Sequence, residues 1–386
     1  MQNKTIAVLG ATGSVGTQAL DVARVSGYKV DLLYANKDVA SMESLAREFG
    51  PKTVVMADPS AAESLRVSLA DTGIRVDSGE SALTEAIGRS EAETVVNSVS
   101  GSAGLKPTLD IISSGKRLAL ANKESLVVAG DIVMQRAREK GCEILPVDSE
   151  HCAIFQSLKS GRPTEIRRIL LTASGGPFRE KTIEELERVT LSDTLAHPTW
   201  KMGKRITVDS ATLMNKGFEI IEAVHLFGVA AEAVEVLVHR ESILHSAVEY
   251  IDNSIIGELS VPDMRMCVQY AVDYPERRVG VGEPLDLTKL GRLSFESPRY
   301  DAFPLLALAR RAISEGGAMP AVMNAADEVA VAAFLEEKIG FTDIARAVIA
   351  CYERMQDAGE ITDLDGILAA DRSARSLTAE IVNTFR

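Results

Sequence analysis

The 386-residue chain is short of cysteine, of positive charge and of long apolar runs, and each shortage narrows its class. Its four cysteines, Cys142, Cys152, Cys267 and Cys351, form no C-x-x-C pair and no close metal-ligand spacing. That argues against a disulfide scaffold or a cysteine-built zinc site, and a reducing, cytoplasmic setting is expected. Lysine and arginine number 42 against 55 aspartates and glutamates, a net charge of −13. Such a surface disfavours nucleic acid and anionic membranes as partners. No stretch approaches the roughly 20 apolar residues of a membrane span. The first apolar run, Ile6 to Leu9, stops at Gly10 and does not look like a signal peptide. The five histidines include no H-x3-H pair, and no G-x-S-x-G elbow, Walker A lysine or cysteine–histidine nucleophile pattern occurs.

What is present suffices for full cores: 46% of residues are hydrophobic and 25% charged, at a length suited to two or three domains. Short β-type runs at 5–9, 29–34, 53–56, 93–98, 117–120 and 142–147 alternate with amphipathic stretches such as 39–49 and 107–114. This alternation predicts an α/β fold that begins with a Rossmann-like, doubly wound parallel sheet. We read residues 1–147 as a dinucleotide-binding domain and 148–284 as an α+β central catalytic domain with a lid loop at 197–206. Residues 285–302 read as a linker, and 303–386, Ala-rich and broken by Gly316-Gly317, Gly340 and Gly359, as a helical bundle.

The turn Gly10-Ala-Thr-Gly13-Ser-Val-Gly16 follows the first strand and opens a helix near Val15. Glycines there let a pyrophosphate approach backbone N–H groups and a positive helix end. The spacing is GxxGxxG, which a purely structural turn also uses. At the end of the second strand stand Asn36, Lys37 and Asp38, where an NAD site carries an acidic group for the ribose 2′-OH. Lys37 suits a 2′-phosphate and so NADPH; a solvated Lys-Asp turn is the alternative. Asp148-Ser149-Glu150 follows the sixth run. On an extended backbone its two carboxylates project together and suit a hard divalent cation, although a solvated acidic turn has the same sequence.

Asp209 reads as the N-terminus of a helix continuing to Leu226, with Asn215, Lys216 and Glu219 on one face. Ser174-Gly175-Gly176 ends a strand in a turn able to offer N–H groups and a hydroxyl to an oxyanion. His197 to Arg205 holds the only tryptophan, Trp200, among three cations, with proline and glycine alongside, as a loop closing over an anionic substrate would.

Taken together, GATGSVG at 10–16, ALANKESLV at 119–127, PVDSEHCAIFQ at 146–156, LTASGGPF at 171–178, HPTWKMGKRITVDSATLMNKGFE at 197–219, PDMR at 262–265 and NAADEVAVAAF at 324–334 resemble one family. It is the 1-deoxy-D-xylulose 5-phosphate reductoisomerases, and the resemblance spans nearly the whole chain. It implies NADPH-dependent rearrangement and reduction of that substrate to 2-C-methyl-D-erythritol 4-phosphate, in isoprenoid precursor biosynthesis. It also implies a Mg²⁺ or Mn²⁺ ion, with Co²⁺ a third candidate, and a homodimer formed through the central domain.

By the same resemblance, Thr12, Gly13, Ser14 and Val15 match the cofactor turn, Asn36, Lys37 and Asp38 its 2′-phosphate end, and Asn122, Glu124 and Gly203 further NADPH contacts. Asp148, Glu150 and Glu219 match the metal ligands, and Lys123, Ser149 and Glu150 the surroundings of the reacting ketol. Lys123, Asp148, Glu150 and Glu219 are thereby the expected catalytic group. Ser174, His197, Ser210, Asn215 and Lys216 match the phosphate pocket, and Trp200 and Met202 the lid. The implied course is retro-aldol and aldol carbon–carbon rearrangement to a branched aldehyde, then hydride delivery. Asp38, Met266-Cys267 and Asp327 depart from the family pattern without removing a proposed ligand. A semialdehyde or homoserine dehydrogenase would lack the DSE and NKGFE carboxylates, and an NADPH-sensing regulator would carry degenerate metal ligands.

Overall fold

The alternation of apolar runs and amphipathic stretches builds a seven-stranded sheet in which every pairing is parallel. Its strands are β1 (Thr5–Leu9), β2 (Lys29–Ala35), β3 (Thr53–Met56), β4 (Arg75–Ser78), β5 (Thr94–Asn97), β6 (Arg117–Leu120) and β7 (Ile144–Pro146). They lie in the order β4-β3-β2-β1-β5-β6-β7, with the topological switch between β1 and β5. Ile6 to Leu9 and all of β5 are buried, as strands covered on both faces must be. Glycines in the left-handed region at Gly27 and Gly50 stop the Ser14–Ser26 and Val39–Phe49 helices. Asp58 caps the Pro59–Ser68 helix by accepting from the Ala61 N–H at 2.8 Å.

The computed structural model describes residues 4–196, 199–200 and 202–385 and divides into two units. The first comprises Met1–Ser125, Val133–Cys152 and Asp263–Pro284; the second comprises Leu126–Ile132, Ala153–Pro262 and Leu285–Arg386. The chain passes between the units after Ser125, Ile132, Cys152, Pro262 and Pro284, so the two are interleaved along the sequence and not consecutive. Residues 263–284 return to the first unit because the Met264–Asp273 helix buries Cys267, Val268, Ala271 and Val272 there. It packs on the Ser14–Ser26 helix and is pinned by Lys4 Nζ donating to the Val272 carbonyl (2.9 Å) and Tyr28 Oη to Asp273 Oδ1 (2.5 Å).

In the second unit β8 (Ile166–Ala173), β9 (Val234–Val238), β10 (Leu244–Tyr250) and β11 (Ile255–Leu259) form a mixed sheet in the order β11-β10-β8-β9. The expected helical bundle is present: the buried Met319–Leu335 helix packs between Phe341–Arg354 and Leu364–Asn383. It shares its unit with the sheet instead of standing alone, because the Lys204–Ala211 helix packs on Met319–Leu335 and the Met214–Phe227 helix on Leu305–Glu315. None of the described helices is long and apolar enough to cross a membrane.

Candidate functional site

In the first unit the site begins at the β1–β5 switch point, where doubly wound sheets open a crevice for ligands. The N–H groups of Gly10 and Ala11 both donate to the Tyr34 carbonyl at 2.9 Å, holding the turn against the end of β2. Gly10 has φ +81°, and a Cβ there would stand 2.6 Å from the Ser98 carbonyl oxygen. A Cβ on Gly16 would lie 2.1 Å from the Gly10 carbonyl oxygen. The Ser14–Ser26 helix starts at Gly13 with no side-chain cap, so its first N–H groups point toward the exposed turn, as a dinucleotide phosphate requires. The residues present therefore fit NADPH.

A second turn, Ser98 to Gly104 at the end of β5, was not singled out in the sequence. Ser98 Oγ donates to the Leu9 carbonyl at 2.7 Å, tying this loop to the glycine turn. Its signal is the string SVSGSAG directly after a buried strand. Asn122 and Glu124 serve this loop. Asn122 Nδ2 donates to the carbonyls of Val99 (2.7 Å) and Gly101 (2.9 Å), and Gly101 N–H donates to Glu124 Oε1 at 3.1 Å. Both side chains thus shape the crevice wall from behind.

At the end of β2, Asn36, Lys37 and Asp38 are exposed. Asp38 caps the Val39–Phe49 helix by accepting from the Ser41 N–H at 3.1 Å, and hydrogen bonds from Ser41 hold its carboxyl below the usual range. The acidic neighbour of Lys37 is therefore occupied with its own helix. Thr12, Ser14 and Val15 line the exposed side of the turn.

Past β7 the backbone is not extended, contrary to the spacing argument. The Ser149–Ser157 helix begins at once, with the Cys152 N–H donating to the Asp148 carbonyl at 2.8 Å and the Ser149 N–H to Asp148 Oδ1 at 3.1 Å. Ser149 and Glu150 are already helical, so the Asp148 and Glu150 carboxylates do not project as they would from a strand. Lys123 Nζ lies 2.6 Å from Asp148 Oδ2, and His151 Nδ1 lies 3.7 Å from the same oxygen. Burial alone would raise the Asp148 pKa, but the Lys123 charge and His151 outweigh it and hold the carboxyl far below the ordinary range. Ser149 Oγ donates to Glu150 Oε2. An ionised, oxygen-only donor pair beside a buried cation fits a hard divalent metal.

In the second unit the single helix expected from Asp209 onward is two helices. Lys204–Ala211 ends before Leu213, whose φ of +59° turns the chain, and Met214–Phe227 follows. Asp209 thus lies inside a helix and not at its start. The break sets the first turn of Met214–Phe227 against β8. The buried Lys216 Nζ donates to the Thr172 carbonyl at 2.5 Å and to Glu219 Oε2, while Asn215 Nδ2 donates to Glu219 Oε1 at 2.5 Å. Glu219 is fully buried, a position that suits a carboxylate compensated by cations.

Two residues beyond Thr172 comes the Ser174 turn, with Gly175 and Gly176 both at positive φ. A Cβ on Gly176 would stand 2.9 Å from the Ser210 carbonyl oxygen, so the structure draws Ser174, Ser210 and Lys216 into one region. Within the expected lid loop 197–206, residues from Lys204 onward are helical and Gly203 is the helix N-cap. Trp200 lies with its ring centre 6.1 Å from that of His245. Met202 is part-buried, and His197 and Lys201 lie outside the described residues.

Family models described as 1-deoxy-D-xylulose 5-phosphate reductoisomerase match residues 6–130, and its C-terminal domain models match residues 144–227 and 259–377. The 1-deoxy-D-xylulose 5-phosphate reductoisomerase of Acetivibrio thermocellus is 50% identical over 380 residues, covering 98% of this chain and 99% of its own. A structure of the enzyme from Zymomonas mobilis in complex with NADPH matches at a TM-score of 0.91, with 44% identity and 99% of both chains covered. A crystal structure of DOX-P reductoisomerase in complex with NADPH, fosmidomycin and magnesium matches at 0.94, with 38% identity and 98% of both chains covered.

Proposed function

The chain belongs to the 1-deoxy-D-xylulose 5-phosphate reductoisomerase family, and from that premise we infer that it is an NADPH- and divalent-metal-dependent oxidoreductase. It converts 1-deoxy-D-xylulose 5-phosphate to 2-C-methyl-D-erythritol 4-phosphate, a step in isoprenoid precursor biosynthesis by the methylerythritol phosphate pathway. The observation that carries this reading is the 50% identity to a reductoisomerase over 98% of the chain.

Asp148, Glu150 and Glu219 are the proposed ligands of a Mg²⁺ or Mn²⁺ ion, with Co²⁺ a further candidate. When bound, the cation supplies Lewis-acid polarisation of the substrate carbonyl and NADPH supplies the hydride. The glycine turn from Thr12 to Val15 binds the cofactor phosphates by backbone N–H groups, and Lys37 with Asn36 reads the 2′-phosphate. Asn122, Glu124 and Gly203 make further contacts with NADPH, Asn122 and Glu124 also holding the loop at the end of β5. Lys123, beside Asp148, keeps that carboxylate ionised and moves or holds a proton at the ketol. Ser149 orients Glu150. Ser174, Ser210, Asn215 and Lys216, with His197, bind the substrate phosphate, whose remote binding energy orients the reacting carbons. Trp200 and Met202 cover the substrate and exclude water.

The functional protein is a homodimer paired through the β11 side of the mixed sheet. Support comes from the open edge of β11 and the exposure of Ile251, Ile255, Ile256 and Leu259 there. Four cysteines without a disulfide suit a cytoplasmic enzyme. The test is NADPH oxidation with 1-deoxy-D-xylulose 5-phosphate, with and without Mg²⁺. Turnover is expected only with both; full turnover after exhaustive chelation refutes the metal role.

A further inference from the structure

Two carboxyl groups face each other inside the second unit, next to the residue proposed to meet the substrate phosphate. Asp209 precedes Ser210 on the Lys204–Ala211 helix, and Asp327 sits on the Met319–Leu335 helix packed against it. Both are buried, Asp327 completely. Among the described residues neither oxygen of Asp327 receives a hydrogen bond. Two facing carboxylates offer only acceptors, so nothing joins them unless one carries a proton.

The surrounding charges make the same demand. Arg205 stands 3.1 Å from Glu328 and 3.8 Å from Asp209, and donates to Asn324 at 3.5 Å. From the Leu364–Asn383 helix, Arg375 pairs with Glu328 at 2.9 Å and with Asp371 at 2.7 Å. Among the described residues, Asp209, Asp327, Glu328 and Asp371 thus gather around the Arg205 and Arg375 guanidinium groups. The ion-paired side chains of the other neighbouring helices, Arg311 with Glu315 and Glu353, and Arg346 with Asp343, lie toward solvent. Burial, and next the Asp209 charge, push the Asp327 carboxyl well above its ordinary range, with Arg205 opposing.

We propose that Asp209 and Asp327 share one proton, and that the pair, clasped by Arg205, seats the Lys204–Ala211 helix so that Ser210 meets the substrate phosphate. Asp327 is then a positioning residue, a role that rests on the phosphate-binding reading of Ser210. A Cβ on Gly176 would stand 2.9 Å from the Ser210 carbonyl oxygen, so a displaced helix also disturbs the Ser174–Gly176 turn. Loss of the shared proton puts a second negative charge into the same space and drives the helix outward. The folded chain binds this proton more tightly than the unfolded chain. Its stabilisation is therefore complete below the ordinary carboxylate range and lost as pH rises through the raised pKa.

The test is the KM for 1-deoxy-D-xylulose 5-phosphate against pH in wild type and Asp327→Asn, whose amide donates to Asp209 at every pH. Wild-type KM should rise about tenfold as pH climbs from neutrality through the raised Asp327 range. The Asp327→Asn profile should stay flat, and the KM for NADPH should change little in either protein. Superimposable profiles overturn the proposal. Infrared difference spectroscopy gives an independent readout. Wild type should show the carbonyl stretch of a buried, protonated carboxylic acid at neutral pH, and it should vanish in Asp327→Asn or, if that variant fails to fold, in Asp209→Asn. Absence of the band in wild type overturns the shared proton whatever the activity. Absence of turnover at every pH would instead defeat the reductoisomerase reading, with the band still deciding the pair.

Discussion

The glycine turn of the first unit and the Lys216–Glu219 cluster of the second are built on opposite principles. The turn is made of backbone, and its specificity lies in atoms that are missing. A Cβ at Gly10 would meet the Ser98 carbonyl at 2.6 Å, and one at Gly16 the Gly10 carbonyl at 2.1 Å. The cluster is made of buried side chains, and its specificity lies in charges that are balanced, with Lys216 shared between Glu219 and the Thr172 carbonyl. The first kind of site tolerates changes of side chain around it but no added volume. The second tolerates small changes of volume but no loss of charge.

Glu219→Gln attacks the cluster at its weakest point and should have the largest effect. It removes a proposed metal ligand and leaves the Lys216 ammonium buried beside a neutral amide. Even groups behind a metal ligand are worth about 10–100-fold, so turnover or metal affinity should fall by about 100-fold or more. Breaking a buried ion pair also destabilises by about 3–5 kcal/mol. Titration of NADPH oxidation against Mg²⁺, with a melting curve, separates the two effects; unchanged kinetics would remove Glu219 from the site.

Gly16→Ala tests the other half of the comparison. The methyl group must displace backbone, at a cost of about 1–3 kcal/mol for overpacking. The expected outcome is a lowered melting temperature and weaker NADPH binding, with Mg²⁺ affinity preserved. Equal loss of both affinities would mean that the two sites are not separable in this way.

The contrast also explains what could be read in advance. The backbone site was legible because glycine spacing after an apolar strand is local information, and β1, β3 and β6 fall where their runs lie. The polar face of Asn215, Lys216 and Glu219 was legible too, since helical spacing is local. The Thr172 partner of Lys216 was not, being 44 residues away. Nor was the break at Leu213, because a leucine at positive φ has no sequence signature and is held by tertiary packing. The strand β4 escaped because RVDS, at the sheet edge, has no apolar run. Past Asp148 the chain turns straight into the Ser149–Ser157 helix, so the period-2 reading carried over from the preceding strand does not hold there. The buried Asp327 reads as one more polar residue in an Ala-rich helix until Asp209 is seen opposite.

The smallest expected effects lie at the exposed end of the cofactor site, where backbone and side-chain construction meet. Lys37→Ala should raise the KM for NADPH about tenfold, since hydrogen bonds to charged groups are worth about 1.5–3 kcal/mol, and leave that for NADH nearly unchanged. An equal effect on both cofactors would refute a 2′-phosphate contact. Asp38 sits next to it but is engaged as a helix cap, so Asp38→Ala should cost about 0.5–2 kcal/mol of stability with little change in cofactor preference. Asp38→Asn retains a capping oxygen and should restore most of that loss. Because hydrogen bonds from Ser41 depress the Asp38 pKa, the charged cap stabilises above the ordinary carboxylate range, and this contribution fades as pH falls through the folded-state value. Asp38→Asn should lack that acid-side dependence. If it instead tightens NADPH markedly, the carboxylate was repelling the 2′-phosphate and Asp38 belongs to the cofactor site after all.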